Sequence, residues 1–295
     1  MSRRLVAAKA FQRRAVPLAL AGGERRRMHS VPSAVTKAFQ RDGAVVLRGV
    51  FSADWLDVMS RGVERNMQHP SEFASENSVE QGAGRFFDDY VNWRRIPEYE
   101  SVARESPAGR VAAEVMGSST AQLFHDHVLV KEAGTRKPTP WHQDAPYYFV
   151  EGLQTVSMWM PLEPVTKENT LRFIRGSHLW EKMVRPVSWA DDSDFYENKE
   201  SQGMWMSVPD PDGLDKGTME VLEWEMEPGD AVLFHFRTAH GARGSDTLRR
   251  ALSLRWVGDD ARYVERPGRT SPPFPGHCMR EGDRLREDWF PIMYP

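Results

Sequence analysis

The sequence predicts a mainly β domain, a sandwich or barrel, with peripheral α-helices in its N-terminal part. After Gly117, short aromatic and β-branched runs alternate with clusters of glycine, proline and aspartate, a pattern typical of an all-β unit. Before that point, apolar residues recur at helical spacing between residues that favour helix ends. The 295 residues suffice for one large domain with a buried core.

Bulk composition excludes several classes of protein. Hydrophobic residues make up 40% and charged residues 27% of the chain, and the net charge of −3 gives no reason to expect a nucleic-acid partner. No uninterrupted apolar run approaches the roughly 18 residues of a membrane span. Cys278 is the only cysteine, which excludes an internal disulfide and a cysteine-rich zinc site. We interpret this loop cysteine as a bystander.

Residues 1–33 form a basic N-terminal extension, which we separate from the domain predicted over residues 34–295. Up to Arg41 the only acidic residue is Glu24, whereas arginine is frequent. This composition resembles a mitochondrial transit peptide and lacks the continuous apolar core of a secretory signal. A disordered basic tail, or an upstream start codon with Met28 as the true start, explains it equally well. The expected location is the cytoplasm, or the mitochondrion if the extension is a transit peptide.

The N-terminal part contains three predicted helices and one strand. The first helix has Ser33 as its N-cap and ends at the Asp-Gly turn of residues 42–43, after which AVVLRGV predicts a strand. A second, amphipathic helix follows Ser52 in SADWLDVMSRGVERNM. A third is predicted in PAGRVAAEVMG, where Pro107 opens and Gly117 closes the helix.

The remainder of the chain predicts strands. The strand-forming runs are AQLFHDHVLVKEA, YYFV, TVSMWMPL, LRFI, DAVLFHF and RALSLRWV. Residues 185–220, rich in aspartate, serine, glycine and proline, interrupt them. We interpret this segment as an insertion, and loops of such length are often functional lids.

His142 and Asp144 lie two positions apart in PTPWHQDAPYY, where a predicted strand meets a loop. Because side chains alternate along a strand, both point to one face, which suits metal chelation and equally suits a hydrogen-bonded pair. A third candidate ligand, His240, follows the strand DAVLFHF in a loop of small residues. Two imidazoles and one carboxylate form the facial triad of non-haem Fe(II) oxygenases, which leaves coordination positions open for chemistry.

Other histidines compete for this role. His125 and His127 in FHDHV share a strand face and could form an H-x-H pair, so His127 is the runner-up ligand. His235 points away from His240 if the strand between them continues. We favour His142 and His240 because both lie at strand ends beside loops, where a barrel opens.

Arg249 and Arg250 begin a strand that we expect to neighbour the one carrying His240. A buried arginine needs a carboxylate partner, and its planar fork suits a dicarboxylate co-substrate that chelates iron at its other end. Only one of the two can point inward, because neighbours on a strand face opposite ways. The apolar set that includes Leu252 argues for Arg250, whereas the small Ala251 leaves room beside Arg249. A surface arginine pair is the alternative.

Four segments, in this order and spacing, resemble the phytanoyl-CoA dioxygenase (PhyH) family of Fe(II)/2-oxoglutarate-dependent oxygenases. They are TPWHQDAPYY, VSMWMPLEPVTKENTLRFIRGSH, MEPGDAVLFHFRTAHGA and RRALSLRW. The resemblance runs from about Ala38 to Val257. It implies a double-stranded β-helix, the cupin-like jelly roll, with N-terminal helices packed outside.

The resemblance also assigns residues by their position in these motifs. It implies that His142, Asp144 and His240 hold Fe(II). It further implies that Arg249 binds the distal carboxylate of 2-oxoglutarate and that Trp159, in the strand after the H-x-D motif, lines the co-substrate site.

Two features depart from the family pattern. The chain has ENT where the family often has Asn-Gly, and IRGSH where it often has PGSH, and both changes affect a loop rather than the triad. Family members also often contact 2-oxoglutarate through a lysine on an earlier strand. Lys131 in HVLVKEAG is a conceivable counterpart that we leave unassigned here.

The implied function is a dioxygenase that uses Fe(II), 2-oxoglutarate and O2 to hydroxylate a small-molecule or acyl substrate, releasing succinate and CO2. Related halogenases carry a small residue in place of the carboxylate, so Asp144 predicts oxygen transfer. One alternative is a metal-dependent cupin isomerase or hydrolase, which would retain the triad without needing Arg249. The other is a non-catalytic jelly-roll binding protein, for which three intact ligands would be surplus.

Overall fold

The structure, a computed structural model, describes residues 30–76, 84–189, 193–196 and 203–295. Within these ranges the α-helices are α1 Ser33–Asp42, α2 Ala53–Gln68, α3 Pro97–Glu105 and α4 Ala108–Met116. The strands are β1 Ala44–Leu47, β2 Ser75–Glu76, β3 Phe86–Tyr90, β4 Ala121–Lys131, β5 Thr139–His142, β6 Val150–Glu151, β7 Thr155–Pro161, β8 Leu171–Ile174, β9 Met183–Val184, β10 Trp205–Met206, β11 Val221–Glu223, β12 Ala231–Phe234, β13 His240–Ala242, β14 Arg249–Val257, β15 Arg262–Tyr263 and β16 Ile292–Tyr294. Short 3-10 helices cover Ala145–Tyr147 and Ser177–Leu179.

Two antiparallel sheets form the body of the protein. The larger has eight strands in the order β1-β12-β7-β14-β4-β3-β2, with β16 also paired to β4. The smaller has four strands in the order β11-β8-β13-β5. Apolar side chains from both sheets pack into one core between them, among them Trp159 and Ala251 from the larger sheet and Phe173 from the smaller. This is the predicted double-stranded β-helix.

A second core lies on the other face of the larger sheet, where the helices pack. Leu252, Leu254 and Trp256 of β14 belong to it, together with residues from all four described helices. The helices therefore cover the apolar face of β14, and its smaller and more polar residues face the smaller sheet. This arrangement explains why the apolar set of the strand does not mark the barrel interior.

Most of the predicted helix ends are confirmed. Ser52 is the N-cap of α2, and α4 runs between Pro107 and Gly117, whose positive φ of 70° is the left-handed conformation that favours glycine. The first helix differs by one residue, because Pro32 is its N-cap and Ser33 is already helical.

The sequence analysis missed one helix, and two of its expectations about elements are wrong. Helix α3 was not predicted, although Pro97 at its first position is a typical helix start. Most of the YYFV run is not a strand, because a 3-10 helix ends at Tyr147 and only Val150–Glu151 pairs as β6. Strands β13 and β14 do not neighbour each other: β13 pairs with β5 and β8, whereas β14 pairs with β4 and β7 in the larger sheet.

The expectations for the N-terminal extension concern residues that lie almost entirely outside the described ranges, which begin at residue 30. The extension and the boundary at residue 34 therefore stay predictions. Within the described part of the chain, no helix combines the length and apolar character that crossing a bilayer requires.

Candidate active site

Three predicted metal ligands converge between the sheets. His142 is the last residue of β5 and His240 the first of β13, and the two are direct partners in the antiparallel register. Asp144 follows in the turn before the 3-10 helix. Its Oδ1 lies 3.8 Å from Nε2 of His142 and 3.9 Å from Nε2 of His240. In the described chain these buried residues are the one group of candidate metal ligands whose ligand atoms all lie within 4.8 Å of one another. We call these three candidate ligands the metal-binding group.

Hydrogen bonds to the backbone fix both imidazoles in one orientation. Nδ1 of His142 lies 2.8 Å from the Pro140 carbonyl oxygen, and Nδ1 of His240 lies 2.9 Å from that of Thr238. A carbonyl oxygen can only accept, so each Nδ1 is the protonated nitrogen and donates. Each Nε2 therefore keeps its lone pair, directed towards Asp144, as metal ligation requires.

Asp144 presents one oxygen to the histidines and binds the protein with the other. Its Oδ2 accepts a hydrogen bond of 2.6 Å from Oγ of Ser157 and lies 3.3 Å from Nε of Arg255. Nε of Arg255 is also 3.2 Å from the Tyr148 hydroxyl oxygen. The carboxylate is thereby held with Oδ1 free, a geometry for a single metal–oxygen bond.

The protonation states of the group suit a cation. Burial lowers the pKa of His142 to about 3, and the neighbouring His240 acts in the same direction. Burial also lowers the pKa of His240. For Asp144 burial raises the pKa, but Arg255 and the two histidines outweigh burial and hold it well below its usual value. At neutral pH the group therefore offers two neutral imidazoles and one carboxylate, which fits Fe(II).

The competing histidines lie elsewhere. His127 forms a pair with Asp88, with 3.1 Å between Nε2 and Oδ2. Nδ1 of His125 lies 3.1 Å from the backbone oxygen of Asp126. Both rings line the same cavity as the metal-binding group without joining it. His235 follows the end of β12 and packs beside His178, with ring centroids 5.5 Å apart.

Arg249 points between the two sheets, the orientation that the family resemblance implied. It is buried, its guanidinium lies 6.0 Å from the Trp159 ring centroid, and it donates to the Asn169 carbonyl oxygen. Burial lowers its pKa to about 10. Arg250 points to the helical side and is bound by Glu163, with Nη2 and Oε1 2.6 Å apart.

Lys131 accompanies Arg249 as its direct partner across β4 and β14. Its Nζ donates to the carbonyl oxygens of Lys137, at 3.0 Å, and Arg243, at 3.1 Å. Lys137 precedes β5 and Arg243 follows β13, so both lie at the strand ends remote from His142 and His240. Burial, Arg249 and Lys137 lower the pKa of Lys131 to about 6. Neither Lys131 nor Arg249 forms a salt bridge with a carboxylate of the described residues. We call these two residues the cation pair.

A cavity of about 270 Å³ opens beside the metal-binding group. His142, Asp144 and Arg255 line it, and so do residues of the predicted insertion, including Trp189. The Trp189 ring lies 4.9 Å from that of His142, centroid to centroid. The insertion therefore contributes part of the wall around the candidate site.

The residues that support the metal-binding group were not predicted from the sequence. They are Arg255 and Ser157, which hold Asp144. The alternation of β14 places Arg255 on the face of Arg249, and this periodicity could have identified it. The contact of Ser157 with Asp144 depends on how β7 meets the turn after β5, which no local pattern encodes.

Comparison with known proteins decides the family. A family model described as phytanoyl-CoA dioxygenase (PhyH) matches residues 39–251. The chain belongs to the phytanoyl-CoA dioxygenase family. It is a non-haem iron dioxygenase that uses 2-oxoglutarate and O2, as the sequence predicted.

Individual relatives of this PhyH-family chain are distant. The ectoine dioxygenase of Sphingopyxis alaskensis is 23% identical over 256 residues, covering 83% of this chain and 82% of that protein. The epimerase SnoN in complex with Fe3+, alpha ketoglutarate and nogalamycin RO has a TM-score of 0.66 at 22% identity, covering 88% of this chain and 98% of that chain. EctD from S. alaskensis with 2-oxoglutarate and 5-hydroxyectoine has a TM-score of 0.63 at 20% identity and covers 88% of each chain. These likenesses confirm the fold.

Proposed function

We propose that this protein hydroxylates a small molecule at an iron centre held by His142, Asp144 and His240. The convergence of their three ligand atoms within 4.8 Å, beside a cavity large enough for a small molecule, carries this proposal. Fe(II) bound there would activate O2 with electrons from the oxidative decarboxylation of 2-oxoglutarate.

The protein residues prepare the site for that ion. The carbonyl oxygens of Pro140 and Thr238 hold the two imidazoles in the tautomer that exposes Nε2. Ser157 and Arg255 hold Oδ2 of Asp144, which leaves Oδ1 as the third ligand. A facial set of three protein ligands leaves positions for the co-substrate and O2.

We assign the distal carboxylate of 2-oxoglutarate to the cation pair. A buried arginine with a lysine beside it, neither with a salt bridge to a described carboxylate, strongly favours an incoming anion. Arg249 is suited to bidentate binding, and Lys131 adds its own donors and, once the anion favours its ammonium form, a second charge. Trp159 lies against the Arg249 guanidinium and would form the wall of this co-substrate site.

Oxygen transfer, rather than halogenation, is the expected outcome. Asp144 is present and is directed into the metal-binding group by Ser157 and Arg255, so it occupies the position that halogenation would leave to chloride. The mass of the product formed in the presence of chloride tests this point, since a chlorinated product would contradict it.

The experiment that tests the function is a substrate panel of acyl-CoAs, phosphonates, betaines and amino acids, scored by succinate formation and product mass. We expect succinate and an oxygenated product that both require Fe(II) and 2-oxoglutarate. Metal-dependent turnover of a substrate without 2-oxoglutarate would favour the isomerase or hydrolase. Tight binding of a panel compound without turnover by the fully loaded protein would favour the binding protein.

A further inference from the structure

The cavity beside the metal-binding group has two walls of different chemistry. One wall consists of polar side chains from three adjacent strands, β3, β4 and β14, and we call it the polar patch: Asp88, Tyr90, His125, His127 and Arg255. Aromatic side chains line the cavity as well, and we call them the aromatic wall: Tyr147, Tyr148, Trp189 and Phe195. A ligand that fills the cavity therefore meets both hydrogen-bonding groups and ring faces.

The strand register makes the polar patch continuous. His127 is the direct partner of Tyr90 on β3, and His125 is the direct partner of Arg255 on β14. Directly opposite residues of an antiparallel pair have Cβ atoms about 4.5–5.5 Å apart on one face. His125 and Arg255 are therefore close enough to bind one small group together.

The carboxylate and the guanidinium of the polar patch already have partners within the protein. Oδ2 of Asp88 lies 3.1 Å from Nε2 of His127, and Nε of Arg255 lies 3.3 Å from Oδ2 of Asp144. Arg255 is the only arginine or lysine among the described residues that line the cavity. A ligand is not required to bring a counter-charge, which distinguishes this patch from the cation pair.

Two polar atoms of the patch still have no hydrogen-bond partner within the described protein. They are Nε2 of His125 and Nη1 of Arg255, and both are buried. Since Nδ1 of His125 donates to the Asp126 carbonyl, its Nε2 is an acceptor, whereas Nη1 of Arg255 is a donor. A hydroxyl group satisfies both, because it can accept from the arginine and donate to the histidine.

We propose that His125 and Arg255 form a hydroxyl-recognition site, and that the substrate is a compact, uncharged, hydroxyl-bearing ring compound. Its hydroxyl group bonds to the polar patch, and its ring lies against the aromatic wall. The assignment of this ligand as the substrate rests on the proposed function, whereas its binding does not. An acyl-CoA is disfavoured because its phosphates need cations, and the one arginine among the described residues of the cavity lining is held by Asp144.

Three six-membered ring probes separate the possibilities. Cyclohexanol can donate and accept, cyclohexanone can only accept, and cyclohexylammonium can only donate. Calorimetric titration into anaerobic protein loaded with Fe(II) and 2-oxoglutarate should show that the alcohol binds at least about fivefold more tightly than the other two, the effect of roughly one hydrogen bond.

Substitutions at His125 provide the matched controls. His125→Leu removes the acceptor and should abolish the preference for the alcohol, whereas His125→Gln, whose amide reaches the Nε2 position, should retain it. If His125→Leu does not fold, His125→Asn replaces it, because the shorter amide does not reach that position. Circular dichroism verifies the fold of each variant.

The remaining outcomes overturn the proposal. The first is that cyclohexanone or cyclohexylammonium binds as tightly as cyclohexanol, and the second is that cyclohexanol does not bind at all. The third is that the His125→Leu protein still prefers the alcohol, and the fourth is that decanoyl-CoA displaces cyclohexanol. The titrations are repeated without metal and 2-oxoglutarate. An alcohol preference that persists in a protein unable to bind iron would refute the proposed function and leave the hydroxyl site intact.

Discussion

The inner face of β14 carries a buried arginine at each end, and only one of the two has a carboxylate partner among the described residues. Arg249 at one end is buried beside Lys131 without a described carboxylate partner, and burial lowers its pKa to about 10. Arg255 at the other end is equally buried, but Tyr148 and Asp144 outweigh the effect of burial and raise its pKa. The same residue type on the same strand face is thus unneutralised in one place and neutralised in the other.

This difference indicates what each end is built to bind. An unneutralised buried cation is costly, so an anion from outside the chain would stabilise the end at Arg249. The end at Arg255 uses its charge to orient Asp144 and offers a ligand only hydrogen bonds. A dicarboxylate co-substrate and a neutral substrate can therefore occupy one barrel without competing for each other's site.

The largest expected effect tests the metal-binding group, which contacts the end at Arg255 through Asp144. His240→Ala removes one of three ligand atoms, so we expect iron to be lost and succinate formation to fall by more than the roughly 10–100-fold typical of outer-sphere changes. Iron content and turnover measure this effect. His125→Gln is the control and should keep its iron. If His240→Ala were fully active and the His125→Gln variant lost its iron, the metal ligands would instead be the H-x-H pair of His125 and His127.

The next effect tests the unneutralised end. Arg249→Ala removes the partner of the co-substrate carboxylate, and we expect 2-oxoglutarate binding to weaken by about 2–5 kcal/mol. Arg250→Ala is the matched control, because Arg250 points to the helical face and is bound by Glu163. Dissociation constants for 2-oxoglutarate decide the matter. A larger loss in the Arg250 variant would mean that the anion does not bind at the cation pair.

A smaller effect is expected at the end of β14 near Arg255, where Ser157 holds Asp144. Ser157→Ala removes the 2.6 Å hydrogen bond to Oδ2 of Asp144, and we expect iron affinity to fall about 10–100-fold while 2-oxoglutarate affinity is preserved in protein saturated with metal. Ser253→Ala is a matched control, since its buried hydroxyl has no described partner. Equal losses in the two serine variants would refute a specific role for Ser157.

The strand pattern predicted much of this arrangement. Alternation along β14 separated Arg249 from Arg250, and the strand-end positions of His142 and His240 identified two of the three candidate metal ligands. The apolar character of Leu252 wrongly favoured Arg250 as the inward-pointing arginine, because Leu252 packs in a second core beneath the helices. Periodicity identifies the two faces of a strand, but not which core each face meets.

Long-range pairing could not be predicted in the same way. Strands β13 and β14 follow each other in sequence yet belong to different sheets, because the chain crosses the barrel between them. The role of Lys131 depends on this crossing, since its Nζ reaches the carbonyl oxygen of Arg243 just beyond β13. Contacts of that kind arise from the topology of the whole chain rather than from local sequence.

Lys131 gives the smallest and most specific test of the comparison. Its pKa in the free protein is lowered to about 6, so at pH 8 its amine is largely neutral. An arriving carboxylate favours the ammonium form and raises this pKa, so 2-oxoglutarate binding at pH 8 should take up a proton. The affinity should therefore increase as the pH falls from 8 towards 6, by at most about tenfold per pH unit, and level off below the free pKa.

Calorimetry in two buffers with different ionisation enthalpies measures this proton uptake directly. In Lys131→Met the uptake should disappear, and the affinity for 2-oxoglutarate should be weaker and nearly independent of pH between 6 and 8. Arg249→Lys is an informative companion, because it keeps a cation beside Lys131 while losing the planar fork. If uptake persists in Lys131→Met, another group supplies the linkage. The unneutralised end would then consist of Arg249 alone.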